Sequence, residues 1–424
     1  MTIGFVVSFF DFRNDVRRVI TEVCKTNAVV VFCKQQDVAK VENFLSKEVS
    51  LRIIDEYKNS SWNTFWQVLF SFMRKIPASK HNYYLMELFK IYNVRNEKLK
   101  KRGLRLFSLH KLLPKIISYD FLLRRLRYSG KTNINDIDHF LFFSEVADDL
   151  LLSRILNENK KAELYVYSWD HPCKHTRFSK RLNYLCWSEG IKDDLIKLQA
   201  IPSNQIRVAG ASQFGYIDEF LNAQRRRVRK FPFDYYYFGC AIGIKELVAD
   251  EIAVIRKLAS QLQQTSPHAK LIVRPYPVLD DWSYYDELAF LQNVVVENDF
   301  RNNSLGVTDE NILIKFDTVY FAKAFFHLGT TLGLEAALID TPSFIIDFGD
   351  NQKKGISIFS FIHQYQNDKY LKFQSAYNSL QSIDEFKMVL ADTENVKYRE
   401  INKKLQTLFP VMSFSNFAKA IAYV

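Results

Sequence analysis

The run His327-Leu-Gly-Thr-Thr-Leu-Gly-Leu-Glu335 gathers the residue types best suited to chemistry in this 424-residue chain. An apolar strand over 324–328 meets glycine and two hydroxyls just where a helix should begin. The first turn of a helix carries backbone N–H groups without intrahelical partners and the positive end of the helix dipole, so it can hold an anion. Gly329 lets an anion approach closely, and Thr330 and Thr331 offer hydroxyls. Glu335 lies four residues after Thr331, on the same helix face one turn further in, where a carboxylate can accept hydrogen bonds from a ribose. The chemistry would be recognition of a nucleotide mono- or diphosphate. A threonine that merely caps a helix and a solvated glutamate give the same pattern, so the run alone leaves both readings open.

Such a junction needs a parallel sheet behind it. Strand-like apolar runs alternate with helical patterns at 3–10, 28–33, 51–54, 139–143, 164–168, 184–187 and 205–209. The pattern restarts after the Phe-Pro-Phe turn at 231–233, with strands at 235–242, 270–274, 293–297, 324–328 and 343–347. Helices are expected at 245–263, 281–291 and 316–323. This alternation predicts an α/β protein of two doubly wound, Rossmann-like domains facing across a cleft. The expected domains are 1–230, with a basic helical insertion at about 60–130, and 231–424, whose C-terminal helix packs back on the first. Ligands of open parallel sheets bind beyond the carboxyl ends of the strands. Gly239-Cys240, Arg274-Pro-Tyr-Pro277, Ser168-Trp-Asp-His171 and Gly210-Ala-Ser-Gln213 all stand at such ends, beside the Gly-Thr-Thr turn.

A hydrophobic content of 48% supports well-filled cores and excludes a disordered chain. The five cysteines are widely spaced and mostly sit in apolar runs, so they read as buried free thiols of a reducing compartment. The N-terminus is apolar without a basic leader or cleavage site and reads as a first buried strand. No run approaches the roughly 18 apolar residues of a membrane span. The net charge of +11 is local. Between Arg95 and Lys131 twelve basic residues face two acids, and Arg225 to Lys230 adds five basic residues and no acid, so these stretches carry +15 and the rest of the chain −4.

In order, the chain holds a Trp-Asp segment (Trp169, Asp170), a Trp-Ser-Glu segment from Trp187, Val-x-Gly-Ala-x-x-Phe from Val208, Arg-Pro-x-Pro from Arg274 and Gly-Thr-Thr-x-Gly-x-Glu-Ala with a later proline from Gly329. Together these resemble bacterial surface-polysaccharide (capsule and O-antigen) glycosyltransferases of the GT-B fold, over roughly residues 140–347, about half the chain. The resemblance implies a nucleotide-sugar donor site in the C-terminal domain, at Gly239, Arg274, Tyr276, His327, Gly329, Thr330, Thr331 and Glu335. It implies an acceptor in the N-terminal domain. Arg274 suits phosphate because its fork of donors is fixed and flanked by prolines; an arginine paired across the sheet edge is the structural alternative. Tyr276 stands where the related pattern has histidine. His327 stands where retaining enzymes often carry the first glutamate of Glu-x7-Glu, so the residue that would contact the sugar is missing.

Sugar transfer needs neutralisation of the leaving phosphate and, with inversion, a base for the acceptor hydroxyl. Asp170 is the expected base and His171 the second choice, although Asp170-His-Pro172 could equally cap a turn. Trp169, Ser212 and Gln213 are placed on the acceptor side of the cleft. No Asp-x-Asp stands at the carboxyl end of a strand, so no metal site and no cofactor beyond the nucleotide sugar are expected. The segment between Arg95 and Lys131 interleaves leucine and isoleucine with its cations, which suits a helix pair on an anionic bilayer or a solvated face over an internal core. The first would make the protein cytoplasmic and peripheral on the inner face of the cytoplasmic membrane, near a lipid-linked glycan acceptor. Two competing classes remain. A nucleotide-sugar epimerase of similar fold needs no acceptor. A nucleic-acid-binding protein would use the basic charge, but no helix-turn-helix, zinc-finger or RNA-binding sheet signature is present, so no nucleic-acid partner is expected.

Overall fold

The structure, a computed structural model, describes residues 1–8, 12–55, 60–74, 96–108, 118–143, 148–169, 171–174, 177–243, 245–276, 281–299, 307–348 and 378–422. The chain folds into two compact units, Met1–Gly215 with Met412–Val424, and Tyr216–Val411.

The first unit holds β1 (Thr2–Val6), β2 (Ala28–Lys34), β3 (Ser50–Ile54), β4 (His139–Phe143), β5 (Lys161–Tyr165), β6 (Asn183–Cys186) and β7 (Ile206–Val208), ordered β3-β2-β1-β4-β5-β6-β7. Every pairing is parallel. Strands such as β4 are buried along their whole length, as a sheet with helices on both faces requires. Its longer helices are α1 (Asn14–Cys24), α2 (Ser61–Arg74), α3 (Glu97–Ser108), α4 (Tyr119–Arg125), α5 (Asp149–Asn157) and α6 (Glu189–Gln199). The last helix of the chain, Phe414–Ala422, also belongs to this unit and lies against α1. Its Phe417 ring meets Tyr165 edge-on at 5.2 Å.

The second unit holds β8 (Tyr235–Gly239), β9 (Lys270–Arg274), β10 (Val294–Val296), β11 (Phe325–His327), β12 (Ser343–Ile346) and β13 (Ser379–Leu380), ordered β10-β9-β8-β11-β12-β13 and again parallel. Its helices include α7 (Lys245–Thr265), α8 (Asp309–Tyr320) and α9 (Thr331–Leu338). Both units are therefore doubly wound α/β folds of Rossmann type, as the alternation predicts.

Two helices differ from their expected bounds. The segment expected as one helix over 281–291 is a short α-helix, Ser283–Asp286, followed by a 3-10 turn, Glu287–Phe290. The helix expected at 316–323 runs instead over Asp309–Tyr320, because Thr308 and Asn311 form a capping box that fixes its start seven residues earlier. Cys24, Cys33, Cys186 and Cys240 are free thiols. No helix among the described residues is long and apolar enough to cross a membrane.

Candidate functional site

The expected site residues fall into two groups, one in each unit. In the second unit, Gly239 pairs in register with Arg274 on one side and with His327 on the other. The three residues form a row across the carboxyl ends of β9, β8 and β11, where the strand order reverses and open α/β sheets bind ligands. Gly239 is also demanded by packing, since a Cβ there would come within 2.5 Å of the Phe325 ring.

Beyond β11 the backbone turns at Gly329, whose φ of 113° lies in the left-handed region that favours glycine. The turn is held by His327: its Nδ1 accepts from the N–H of Gly329 at 2.9 Å and of Thr330 at 3.3 Å. Nδ1 is thus an acceptor, which places the proton of a neutral imidazole on Nε2. Thr330 is the N-cap of α9, accepting from the Leu332 N–H, and Thr331 is its first residue. The imidazole lies against that helix, so a Cβ at position 333 would fall 2.2 Å from Nε2. The second glycine of the motif makes room for the histidine.

Glu335 is buried one turn into α9 and meets the Nζ of Lys315, from α8, at 2.9 Å. Burial pushes the Lys315 ammonium below its ordinary value and Arg274 adds to that push, while Glu335 pulls the other way. Arg274 lies 3.7 Å from Glu297. Glu297 also accepts from Tyr237 Oη at 2.5 Å and from Lys230 Nζ at 3.2 Å. Burial opposes the charge on Arg274, but Tyr237, Glu297 and Glu335 outweigh it and hold the guanidinium charged. The ring of Tyr276, two residues beyond β9, packs so close to Gly243 that a Cβ there would approach it to 2.8 Å. The chemical capacity of the site is clear: two partly shielded cations and a capped helix start stand near a buried carboxylate.

Behind this row lies Glu251 of α7, fully buried, accepting from the Ala241 N–H at 2.8 Å and from Tyr285 Oη at 3.2 Å. It holds the turn that leaves β8. Burial raises its carboxyl to about 7, although the hydrogen bonds from Ala241 and Tyr285 pull it down. The basic run from Arg225 to Lys230 is tied into the same unit. Arg225 pairs with buried Asp317 at 2.8 Å, Arg227 lies 4.1 Å above the Tyr320 ring, and Lys230 binds Glu297 and Asp299. This part of the positive charge therefore has a structural use.

In the first unit Trp169 is buried, and His171 opens the short helix His171–Lys174, its N–H bonded to the Ser168 carbonyl. Asp170 lies outside the described residues. Ser212 and Gln213 sit in the 3-10 turn after β7. Ser212 donates its hydroxyl to Asp15 at 2.5 Å and its N–H to Tyr165 Oη at 2.9 Å. Asp15 also accepts from Tyr167 Oη at 3.0 Å, and burial raises its carboxyl above the ordinary range. Trp187 is core, edge-on to Phe214 at 5.4 Å. Asp15, Glu251, Glu297 and Lys315 were missed from sequence. Of these, Asp15 had a signal, a carboxylate in the first turn of the helix that follows the first strand.

No protein-family model matches the chain, and no curated protein matches it. Solved structures do. A protein from Listeria monocytogenes assigned as a UDP-N-acetylglucosamine 2-epimerase is 9% identical, with 99% of this chain and 94% of that one covered at a TM-score of 0.52. The glycotransferase of kitacinnamycin is 10% identical, with 99% and 98% covered at 0.50. S. aureus MnaA, solved with UDP, is 6% identical, with 98% and 94% covered at 0.50. The likeness is one of fold: two parallel-sheet Rossmann-like domains of GT-B type.

Proposed function

We propose that the chain is a nucleotide-sugar-dependent glycosyltransferase that moves a sugar to a surface glycan, with UDP-sugars as the first donors to test. The reading rests on one observation above others, the row Arg274, Gly239 and His327 at the reversal of strand order, with the capped start of α9, Lys315 and Glu335 beside it. Arg274 and Lys315 would neutralise the leaving phosphates, and Glu335 would take the ribose. Asp170 would be the base, His171 its alternative, and Trp169, Ser212 and Gln213 would face the acceptor. Neither metal nor cofactor has a step in this scheme; loss of activity on chelation would count against that. A lipid-linked acceptor at the inner face of the cytoplasmic membrane fits the basic segment between Arg95 and Lys131.

The test is thermal unfolding with UDP and UDP-sugars. A ligand at a hundred times its dissociation constant adds roughly 2.7 kcal/mol to stability. The double change Thr330→Val with Glu335→Ala should abolish the shift, and a shift that survives it places the site elsewhere. A second reading, nucleotide-sugar epimerisation, is favoured by the likeness to the Listeria protein. Conversion of the donor to an isomer with no acceptor present would select it.

A further inference from the structure

Helix α2 reads Ser-Trp-Asn-Thr-Phe-Trp-Gln-Val-Leu-Phe-Ser-Phe-Met-Arg and carries no acidic residue. Its inner side is anchored. Asn63 exchanges hydrogen bonds with the Arg127 backbone at 2.9 and 3.1 Å, the Phe70 and Tyr119 rings meet at 4.9 Å, and Phe70 and Met73 are buried. Its outer side presents Trp62 at 55%, Phe65 at 54% and Val68 at 63% exposure, three residues apart on one helix face. Neighbouring α4 adds Phe121 at 42%. The rings form one cluster: Trp62 to Trp66 at 5.4 Å, Phe65 to Trp66 at 5.3 Å and Trp66 to Phe121 at 6.3 Å. Isolated exposed apolar residues are ordinary, but a contiguous aromatic face marks an interaction surface.

The charge on this face identifies the occupant. Arg124, Arg125 and Arg127 are exposed, and the Arg125 guanidinium lies 4.9 Å from the Phe121 ring centroid and 5.9 Å from that of Trp66. The nearby acid, Asp120, is occupied by the Ser179 hydroxyl at 2.6 Å and the Lys180 N–H at 3.2 Å. Indole rings beside guanidiniums match the water–lipid boundary, where aromatic rings settle at headgroup level and cations meet lipid phosphates. We propose that the outer face of α2 and α4 docks on an anionic lipid bilayer. Apolar insertion comes chiefly from α2, which lies outside the basic segment between Arg95 and Lys131; the cations come from within that segment.

The test is flotation of the full chain with phosphatidylcholine vesicles, with and without phosphatidylglycerol. Binding is expected with the anionic vesicles, with a blue shift of tryptophan emission that Trp62→Phe diminishes. Arg124→Gln with Arg125→Gln should weaken binding roughly thirtyfold, about fivefold per charge. Trp62→Ala with Phe65→Ala should abolish binding while leaving thermal unfolding near the parent's, since both side chains are exposed. The proposal is overturned by equal binding to both vesicle types, by anionic binding that survives Trp62→Ala with Phe65→Ala, or by no binding at all. Self-association lost in that aromatic variant, without vesicle binding, would show a second copy to be the occupant instead.

Discussion

His327 closes the row at the carboxyl end of β11, and its imidazole serves the backbone, taking the N–H groups of Gly329 and Thr330. That use makes Gly333 obligatory. In an ordinary helix interior a glycine-to-alanine change stabilises by up to about 1 kcal/mol. Here the added methyl meets the ring, so Gly333→Ala should destabilise by about 1–3 kcal/mol, and the sign alone decides between the two. Unfolding measured with and without UDP checks it, because displacing the imidazole also releases the turn and should shrink any ligand-induced shift. Arg274 was legible because it closes its expected strand. Gly239 and His327 lie inside the expected strands 235–242 and 324–328 and stood out only as a glycine and a polar residue near strand ends, which in a parallel sheet lie at one edge. Lys315 was not legible. The helix was expected to begin at 316, which left Lys315 in a loop, and only the capping box at Thr308 brings it onto α8 opposite Glu335.

The β8–α7 turn depends on a carboxyl group that titrates unusually. Burial raises Glu251 from the ordinary 4.5 to about 7, so its protonated form is the one the fold prefers. The stability it contributes is complete below about pH 4.5 and is lost as pH rises through about 7, with a loss of about 3 kcal/mol across that window. Glu251→Gln should flatten this dependence, which the difference between the two curves of melting temperature against pH will show. The difference is needed because Asp15 is also raised by burial and contributes in the same direction. Nothing in the residue order hints at this group. Glu251 sits in a helix whose polar residues mostly face solvent, and its burial arises from contacts with Ala241 and with Tyr285, 34 residues further on. Strand β9 was legible residue for residue, since the three-residue apolar run Leu271-Ile272-Val273 between the charged ends Lys270 and Arg274 has few other readings. The 281–291 segment was not, because its apolar spacing fits one α-helix as well as an α-turn followed by a 3-10 turn.

Each unit has its own parallel sheet and its own core, so thermal or denaturant unfolding should resolve into two transitions rather than one. On the proposed function, UDP raises the transition of the Tyr216–Val411 unit and leaves the other in place; calorimetry with and without UDP measures this directly. The fold class was legible because alternation of strands and helices admits few architectures. The return of the last helix carries a consequence for synthesis. The chain leaves the first unit at Gly215 and re-enters it at Met412. Phe414, against which Gly215 has no room for a Cβ, and Phe417, against Tyr165, both follow the whole of the second unit in the order of synthesis. The unit that is translated first is thus the one that finishes last: its nascent sheet must wait, incompletely covered, through the translation of nearly two hundred residues before its closing helix arrives.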